Sequence, residues 1–217
     1  MENKEYKNYF KNHYKYSFSE KDLEDHKQRF QVQFNIISKK LSNNFSGKRI
    51  LEIWSATWSF YQFLEKYDCE YIWIEIDQSA VDWANNRFWN KFICSSIEDF
   101  DWSWYDYIFA FEVLEHIHSP LEAISKINKI LKPWWKFIWT SPFPFYKNIY
   151  ADKTHKFCLH PNNWKKLFDD EWFTTKTEAF SFIPYLRRLS EKLNFRIPFY
   201  IWLRYFISTT LIVAQKK

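Results

Sequence analysis

Apolar residues recur along this chain with two periods, and the alternation of those periods predicts its architecture. Behind Ser19 and Asp22, the residues Leu23, Phe30, Phe34, Ile37 and Leu41 fall at helical spacing, which predicts a lead-in helix with one packed face. Short apolar runs over 50–53, 71–76, 91–94, 105–111, 137–141, 174–182 and 209–214 predict seven strands, the fourth apolar enough to be buried on both faces. Helical segments separate them: one through Phe60, Phe63 and Leu64, one over 79–88, and one opened by Ser119-Pro-Leu-Glu122. That last start combines an N-cap serine, a proline at the first helical position and a glutamate at the third, with Ile124, Ile127 and Leu131 inward and a stop at Pro133. The expected fold class is α/β: a doubly wound, mostly parallel seven-stranded sheet with helices on both faces and an antiparallel last strand. Residues 1–45 read as the helical lead-in and 46–217 as the domain, with an aromatic helical insertion at about 183–206.

Composition changes this picture at one point. The chain holds a single glycine, Gly47, against thirteen tryptophans, where average usage would give roughly fifteen glycines. Trp134 and Trp135 follow Lys132-Pro133 at a helix end, Trp102 and Trp104 sit in a polar run, and Trp54 and Trp58 close a strand. Such positions call for φ > 0 or close backbone approach, which an indole does not supply. A gene in which UGA encodes glycine, translated with UGA as tryptophan, would produce this substitution. We therefore read Trp54, Trp58, Trp73, Trp89, Trp102, Trp104, Trp134, Trp135, Trp139 and Trp172 as glycine positions, and keep Trp83, Trp164 and Trp202, which sit in ordinary packing contexts, as tryptophan. The alternative is a natively tryptophan-rich chain whose rings stack on sugars or bases.

With glycine at those positions, Leu51-Glu-Ile-Trp-Ser-Ala-Thr-Trp58 resembles the E-x-G-x-(G/A)-x-G loop of Rossmann-like (class I) methyltransferases that use S-adenosylmethionine. Tyr71-Ile-Trp-Ile-Glu75-Ile-Asp77 is similar to their second strand, Ser96-Ile-Glu-Asp99 to their adenine-side segment, and Glu112-Val-Leu-Glu-His116 to the stretch after their fourth strand. Leu131-Lys-Pro-Trp-Trp135 and Glu171-Trp172-Phe173 are similar to later glycine-containing turns of the family, and the markers run in family order over about 45–182. The resemblance implies S-adenosylmethionine as cofactor, held by Glu52, Trp54, Ser55, Ala56, Thr57 and Trp58 of the loop, by Glu75 and Ile76, by Ser96, Ile97 and Glu98, and by Glu112. Glu75 is the expected ribose ligand, with Asp77 as the near alternative, because a carboxylate about twenty residues past the loop accepts both ribose hydroxyls. A dinucleotide loop would instead need glycine at Ala56 and Ser59, and neither position is glycine or tryptophan. Where the family commonly has an adenine-side acid this chain has Ser96, whose hydroxyl or the following Ile97 backbone would have to serve.

Methyl transfer needs alignment above all, with a base only for some acceptors. The candidate bases are His116, after the fourth strand, and His155, after the fifth, both at the sheet edge where a methyl group would sit; His118 reads as solvent-facing. Cys69, Cys94 and Cys158 show no CxxC or Cys/His metal spacing, so no metal is implied and reduced thiols in the cytoplasm are expected. The charged opening Met1-Glu-Asn-Lys predicts no secretory signal, and the formal charge of +5 is spread along the chain, which argues against nucleic acid as a partner. The apolar stretch over 197–214 is broken by Arg204 and Ser208-Thr209-Thr210, so it predicts no membrane span, although the aromatics and arginines over 195–206 leave contact with a lipid surface open. The expected function is methylation of a small-molecule acceptor; the alternative is a non-catalytic binding module on the same scaffold.

Overall fold

The computed structural model describes residues 20–53, 60–87, 92–144, 149, 152–180 and 209–217. Its elements run α1 (Glu20–Lys40), β1 (Arg49–Ile53), α2 (Tyr61–Leu64), β2 (Glu70–Glu75), α3 (Gln78–Arg87), β3 (Phe92–Cys94), β4 (Tyr105–Phe111), α4 (Pro120–Ile130), β5 (Leu131–Pro142), α5 (Pro161–Asp170), β6 (Phe173–Phe180) and β7 (Thr209–Lys216). They form one seven-stranded sheet of order β3-β2-β1-β4-β5-β7-β6. The first five strands pair in parallel, while β7 runs antiparallel to both β5 and β6. The sequence-based expectation of a doubly wound, mostly parallel sheet with an antiparallel last strand is met.

The two-residue period of the strands sorts side chains into two cores. Leu51, Ile53, Ile72, Ile74, Ile108, Ala110 and Phe137 pack with α4 and α5, whereas Ile50, Tyr71, Tyr107, Phe109 and Ile138 pack with α1, α2 and α3. The lead-in helix therefore belongs to the domain's own core: Phe34, Ile37 and Leu41 are buried there, and Phe34 stacks on Phe63 at 5.3 Å between ring centroids. Among the described residues no helix is long and apolar enough to cross a membrane. The expected insertion at 183–206 lies outside the described residues, as do Trp54–Trp58, Trp89 and Trp202.

Two local expectations need correction. Ser119 occupies the N-cap position of α4, but its hydroxyl makes no capping bond, and only its carbonyl enters the helix by accepting from Ala123 N–H at 3.2 Å. The helix also ends three residues before Pro133, at Ile130, and β5 begins at once. Leu131 pairs with Tyr105 and Lys136 with Tyr107, so residues 132–135 bulge out of an otherwise continuous ladder. The proline thus marks the bulge, where it donates no ladder hydrogen bond, and not the helix end.

Backbone conformation bears directly on the tryptophans. Trp104, Trp134 and Trp172 have φ of 72, 69 and 66°, in the left-handed region that Gly47 also adopts at 68°. Each introduces a strand (β4, the bulge of β5, and β6), and each leaves its indole in solvent with 65–72% of its surface exposed. A bulky residue there costs about 1–2 kcal/mol relative to glycine and gains no packing in return. Trp102 is half exposed, and Trp135 is half-buried against Tyr107 at 5.2 Å. Trp73 and Trp139 differ, for both are extended strand residues with fully buried rings, packed on Phe92 and on Trp164. Their indole Nε1 atoms, like that of Trp164, have no hydrogen-bond partner among the described residues.

Candidate active site

Topology sets the place of the site. The chain leaves β1 toward β2 and β3, then returns on the other side of β1 as β4, so the segments after β1 and β4 pack on opposite faces of the sheet. A crevice opens at the carboxyl ends of strands where the winding reverses in this way. Ile53, Glu75, Cys94 and Phe111 end the strands that rim it. Glu52, one residue before the end of β1, is fully buried, and its Oε2 accepts from Phe60 N–H at 2.9 Å and from the Tyr71 hydroxyl. Its carboxylate ties both ends of the 54–59 loop to the sheet and so serves as part of the scaffold.

Glu75 closes β2 with a carboxylate that is 6% exposed. Oε1 accepts from the backbone N–H groups of Ile76 at 2.7 Å and Asp77 at 3.2 Å. Burial pushes the carboxyl up to about 7, and nearby Asp77 adds to the shift, while the two N–H donors work against it. Asp77 itself caps α3, because its Oδ1 accepts from Ser79 N–H at 2.8 Å and from the Ser79 hydroxyl at 2.6 Å. After the next strand, β3, the Ser96 hydroxyl donates to Asp99 Oδ2 at 2.8 Å and accepts from Asp99 N–H at 3.1 Å. That local turn takes the O–H donor and one lone pair of the hydroxyl expected to face adenine. The Ile97 side chain is buried in the core, so Ile97 offers only its backbone to a ligand here, while Glu98 is exposed.

The opposite wall is built from the loops after β4 and β5. Glu112, directly after β4, has φ 56° and donates its N–H to Thr140 O at 3.0 Å, a left-handed backbone held in place by the neighbouring strand. Glu115 and His116 follow, both buried, and His118 is exposed as expected. The Glu115 carbonyl accepts from Lys156 and Phe157 N–H at 2.8 and 3.1 Å, which docks the later loop onto the earlier one. His116 and His155, thirty-nine residues apart in sequence, thereby lie 4.8 Å apart between ring centroids. His116 Nδ1 is 2.8 Å from Thr154 Oγ1, which is 2.6 Å from Asp152 Oδ1, and His155 Nδ1 is 2.5 Å from Ile149 O.

Burial, followed by nearby His155, pulls the His116 imidazole down to about 4, so it is neutral at pH 7. Burial alone would raise Asp152, yet hydrogen bonds from the Thr154 hydroxyl and N–H, together with the two histidines, hold its carboxyl below the ordinary value. Burial and the carboxylates of Glu115, Glu112 and Asp152 push the Cys158 thiol up to about 11, which leaves it protonated and a poor nucleophile. Asp152 and Thr154 are functional candidates that sequence reading missed; the Asp-x-Thr-His order was the available signal. Glu115, His116 and His155 also place one donor atom each within 4.8 Å of one another, a separation that a divalent cation could bridge. No spacing in the sequence indicates that cluster, because the fold alone joins residues 115–116 to 155.

A family described as "Methyltransferase domain" matches residues 26–197. No curated protein matches the sequence. Among solved structures, a SAM dependent methyltransferase from Archaeoglobus fulgidus is similar over 96% of this chain and 99% of its own, at 19% identity and a TM-score of 0.66. Phosphoethanolamine N-methyltransferase 2 of Haemonchus contortus, solved with S-adenosyl-L-methionine, is similar over 85% of this chain and 52% of its own, at 15% identity and a TM-score of 0.64. The [4+2]-cyclase SpnF is similar over 86% of this chain and 81% of its own, at 15% identity and a TM-score of 0.64.

Proposed function

Because the chain belongs to the methyltransferase domain family, we propose that it is an S-adenosylmethionine-dependent methyltransferase acting on a small-molecule acceptor in the cytoplasm, with residues 46–217 as the catalytic domain and 1–45 as its lead-in. The observation that carries this reading is the Glu75 carboxylate, buried at the end of β2 beside the point where the winding of the sheet reverses. A buried, half-ionised carboxyl suits a pair of hydroxyl donors such as those of a ribose. The cofactor supplies a methyl group on a positively charged sulfur. Glu75 orients its nucleoside, the segment after β1 and the Ile97 backbone close round it, and Glu112 shapes the floor between cofactor and acceptor. His116 takes the acceptor's proton on its ring, and His155 flanks the same point.

Glu75 gives the first test. Its raised value favours the folded, ligand-free protein by on the order of 3 kcal/mol; that stabilisation is full below pH 4.5 and gone above about 7. Ribose hydroxyls donate to the charged form, so S-adenosylhomocysteine should bind with proton release, tightening up to roughly tenfold per pH unit below 7 and levelling above it. Glu75→Ala should weaken binding about ten- to a hundredfold and remove that pH dependence. Asp77→Ala should cost about 1 kcal/mol of stability with little change in affinity, since Asp77 caps α3. Titration calorimetry in buffers of different ionisation heat reads the affinities and the proton release, scanning calorimetry reads the stability of Asp77→Ala, and the reverse order of the two variants in affinity would move the ribose site to Asp77.

We further propose that the ten tryptophans named above are glycine in the producing cell. Left-handed backbone at Trp104, Trp134 and Trp172, with indoles that pack on little, supports this reading. The gene should carry UGA at most of the ten positions and UGG at Trp83, Trp164 and Trp202. Sequencing that finds UGG at all thirteen sinks the idea.

A further inference from the structure

We propose that Asp152 and Thr154 act as positioning residues that fix His116 in its Nδ1–H tautomer and so place the imidazole lone pair on Nε2. Counting protons along the chain of bonds leads there. Thr154 Oγ1 carries one proton and lies within hydrogen-bond distance of two partners, Asp152 Oδ1 at 2.6 Å and His116 Nδ1 at 2.8 Å. An ionised carboxylate only accepts, and the fold holds Asp152 ionised. The hydroxyl proton therefore goes to Asp152, and the Thr154 oxygen can meet His116 only as an acceptor. His116 must then bring a proton on Nδ1. In a neutral imidazole one nitrogen carries the proton and the other the lone pair, which leaves the lone pair on Nε2.

His155 is fixed by a simpler device with the same outcome. Its Nδ1 lies 2.5 Å from the Ile149 carbonyl, which has no proton to give, so Nδ1 of this ring is the donor. Two neighbouring imidazoles are thus oriented through Nδ1 by acceptors on the 149–154 segment. Of the two, His116 is the one joined, among the described residues, to a carboxylate through a hydroxyl, that of Thr154. When the acceptor's hydroxyl proton moves to Nε2, the ring becomes an imidazolium and keeps its Nδ1–H bond. Asp152, the negative group of the relay, then faces the new charge across a single hydroxyl. His155, Lys156 and Glu115 also lie near His116; Lys156 opposes the added charge, the Glu115 carboxylate lies on the favourable side, and Asp152 is the carboxylate that the Thr154 hydroxyl joins to the ring.

This inference rests on the methyltransferase reading for its catalytic consequence but not for the tautomer, and two measurements separate them. Long-range ¹H–¹⁵N spectra of the protein, made both with glycine at the ten positions and with tryptophan there, should show His116 protonated at Nδ1. In Thr154→Val that signal should shift toward Nε2–H or a mixture, and Thr154→Ser should restore it. With a hydroxylated acceptor, Thr154→Val should lower kcat roughly ten- to a hundredfold with KM and S-adenosylhomocysteine affinity unchanged, while Thr154→Ser stays near the parent. Asp152→Asn should lie between them. A parent spectrum with Nε2–H at His116 overturns the relay. So does activity that EDTA abolishes and a divalent cation restores, because Glu115, His116 and His155 would then be holding a metal. If the spectra show the expected tautomer but His116→Ala turns over normally, the relay stands and the base role assigned to His116 fails.

Discussion

A chain carrying Trp54→Gly, Trp58→Gly, Trp104→Gly, Trp134→Gly, Trp135→Gly and Trp172→Gly is expected to melt on the order of 10 °C above its tryptophan counterpart, and to bind S-adenosylhomocysteine where the counterpart binds weakly or not at all. The thermal part follows from three backbones. Trp104, Trp134 and Trp172 each hold φ between 66 and 72° with an indole largely in solvent. Relief of about 1–2 kcal/mol at each of three separated turns adds to roughly 3–6 kcal/mol, a large share of the 5–15 kcal/mol that holds a domain folded. For a chain of this size about 1 kcal/mol moves the midpoint by 2–4 °C, which sets the expected shift. The binding part follows from the loop after β1. Only six residues separate Ile53, at the end of β1, from Phe60, whose N–H donates to Glu52, and two indoles in so short a span are expected to compete with a nucleoside for space. Scanning calorimetry and titration calorimetry on the two proteins read both effects. Equal midpoints would show that the left-handed turns tolerate tryptophan, and equal affinities would show that the loop assignment is wrong.

Much of this architecture was legible because strand burial leaves a period in the sequence. Residues 105–111 read as a doubly buried strand and form β4, buried at every position. The sequence reading expects a different pattern at the C-terminal end, where two strands flank an aromatic insertion, and β7 does pair antiparallel with both neighbours. Boundaries failed where a tertiary pairing overrode a local signal. Pro133 reads as a helix stop, yet the ladder with β4 takes over at Leu131 and accommodates the proline in a bulge.

The site was legible only in its strand-end residues. Glu75 is placed by the register of one strand, so a count from the loop finds it. Ser96 reads as a ligand contact, and its hydroxyl also forms an i to i+3 turn with Asp99 that sequence alone does not reveal; the turn takes the O–H donor and one lone pair and leaves the other lone pair for an N–H donor. The acceptor side was the least legible. His116 and His155 were each visible as isolated residues after strands, whereas their 4.8 Å approach, and the Thr154 hydroxyl between His116 and Asp152, exist only because the Glu115 carbonyl docks the 156–157 backbone.

Removing the His116 ring is expected to have the largest effect on chemistry. His116→Ala should lower kcat by roughly 10²–10⁴ while cofactor affinity and KM change little, if the acceptor is a hydroxyl. A neutral alcohol is a weak nucleophile, and its oxygen becomes strongly acidic only as the new carbon–oxygen bond forms. A base with a pKa of about 4 is weak toward the free alcohol but ample toward that late, acidic oxygen, and at pH 7 it is wholly in the form that can accept. Burial, which makes His116 a poor base at rest, also keeps water from competing for the proton. His155→Ala should act differently. Its Nδ1 is bound to the Ile149 carbonyl and, among the described residues, no carboxylate joins it through a hydroxyl, so on the proposed reading its loss should appear mainly in KM. Steady-state kinetics with a hydroxylated acceptor found by metabolite screening, run on the glycine-bearing protein, separates the two variants. A fall in kcat for His155→Ala with His116→Ala near normal would exchange their roles, and unchanged kcat and KM in both would remove the pair from the active site.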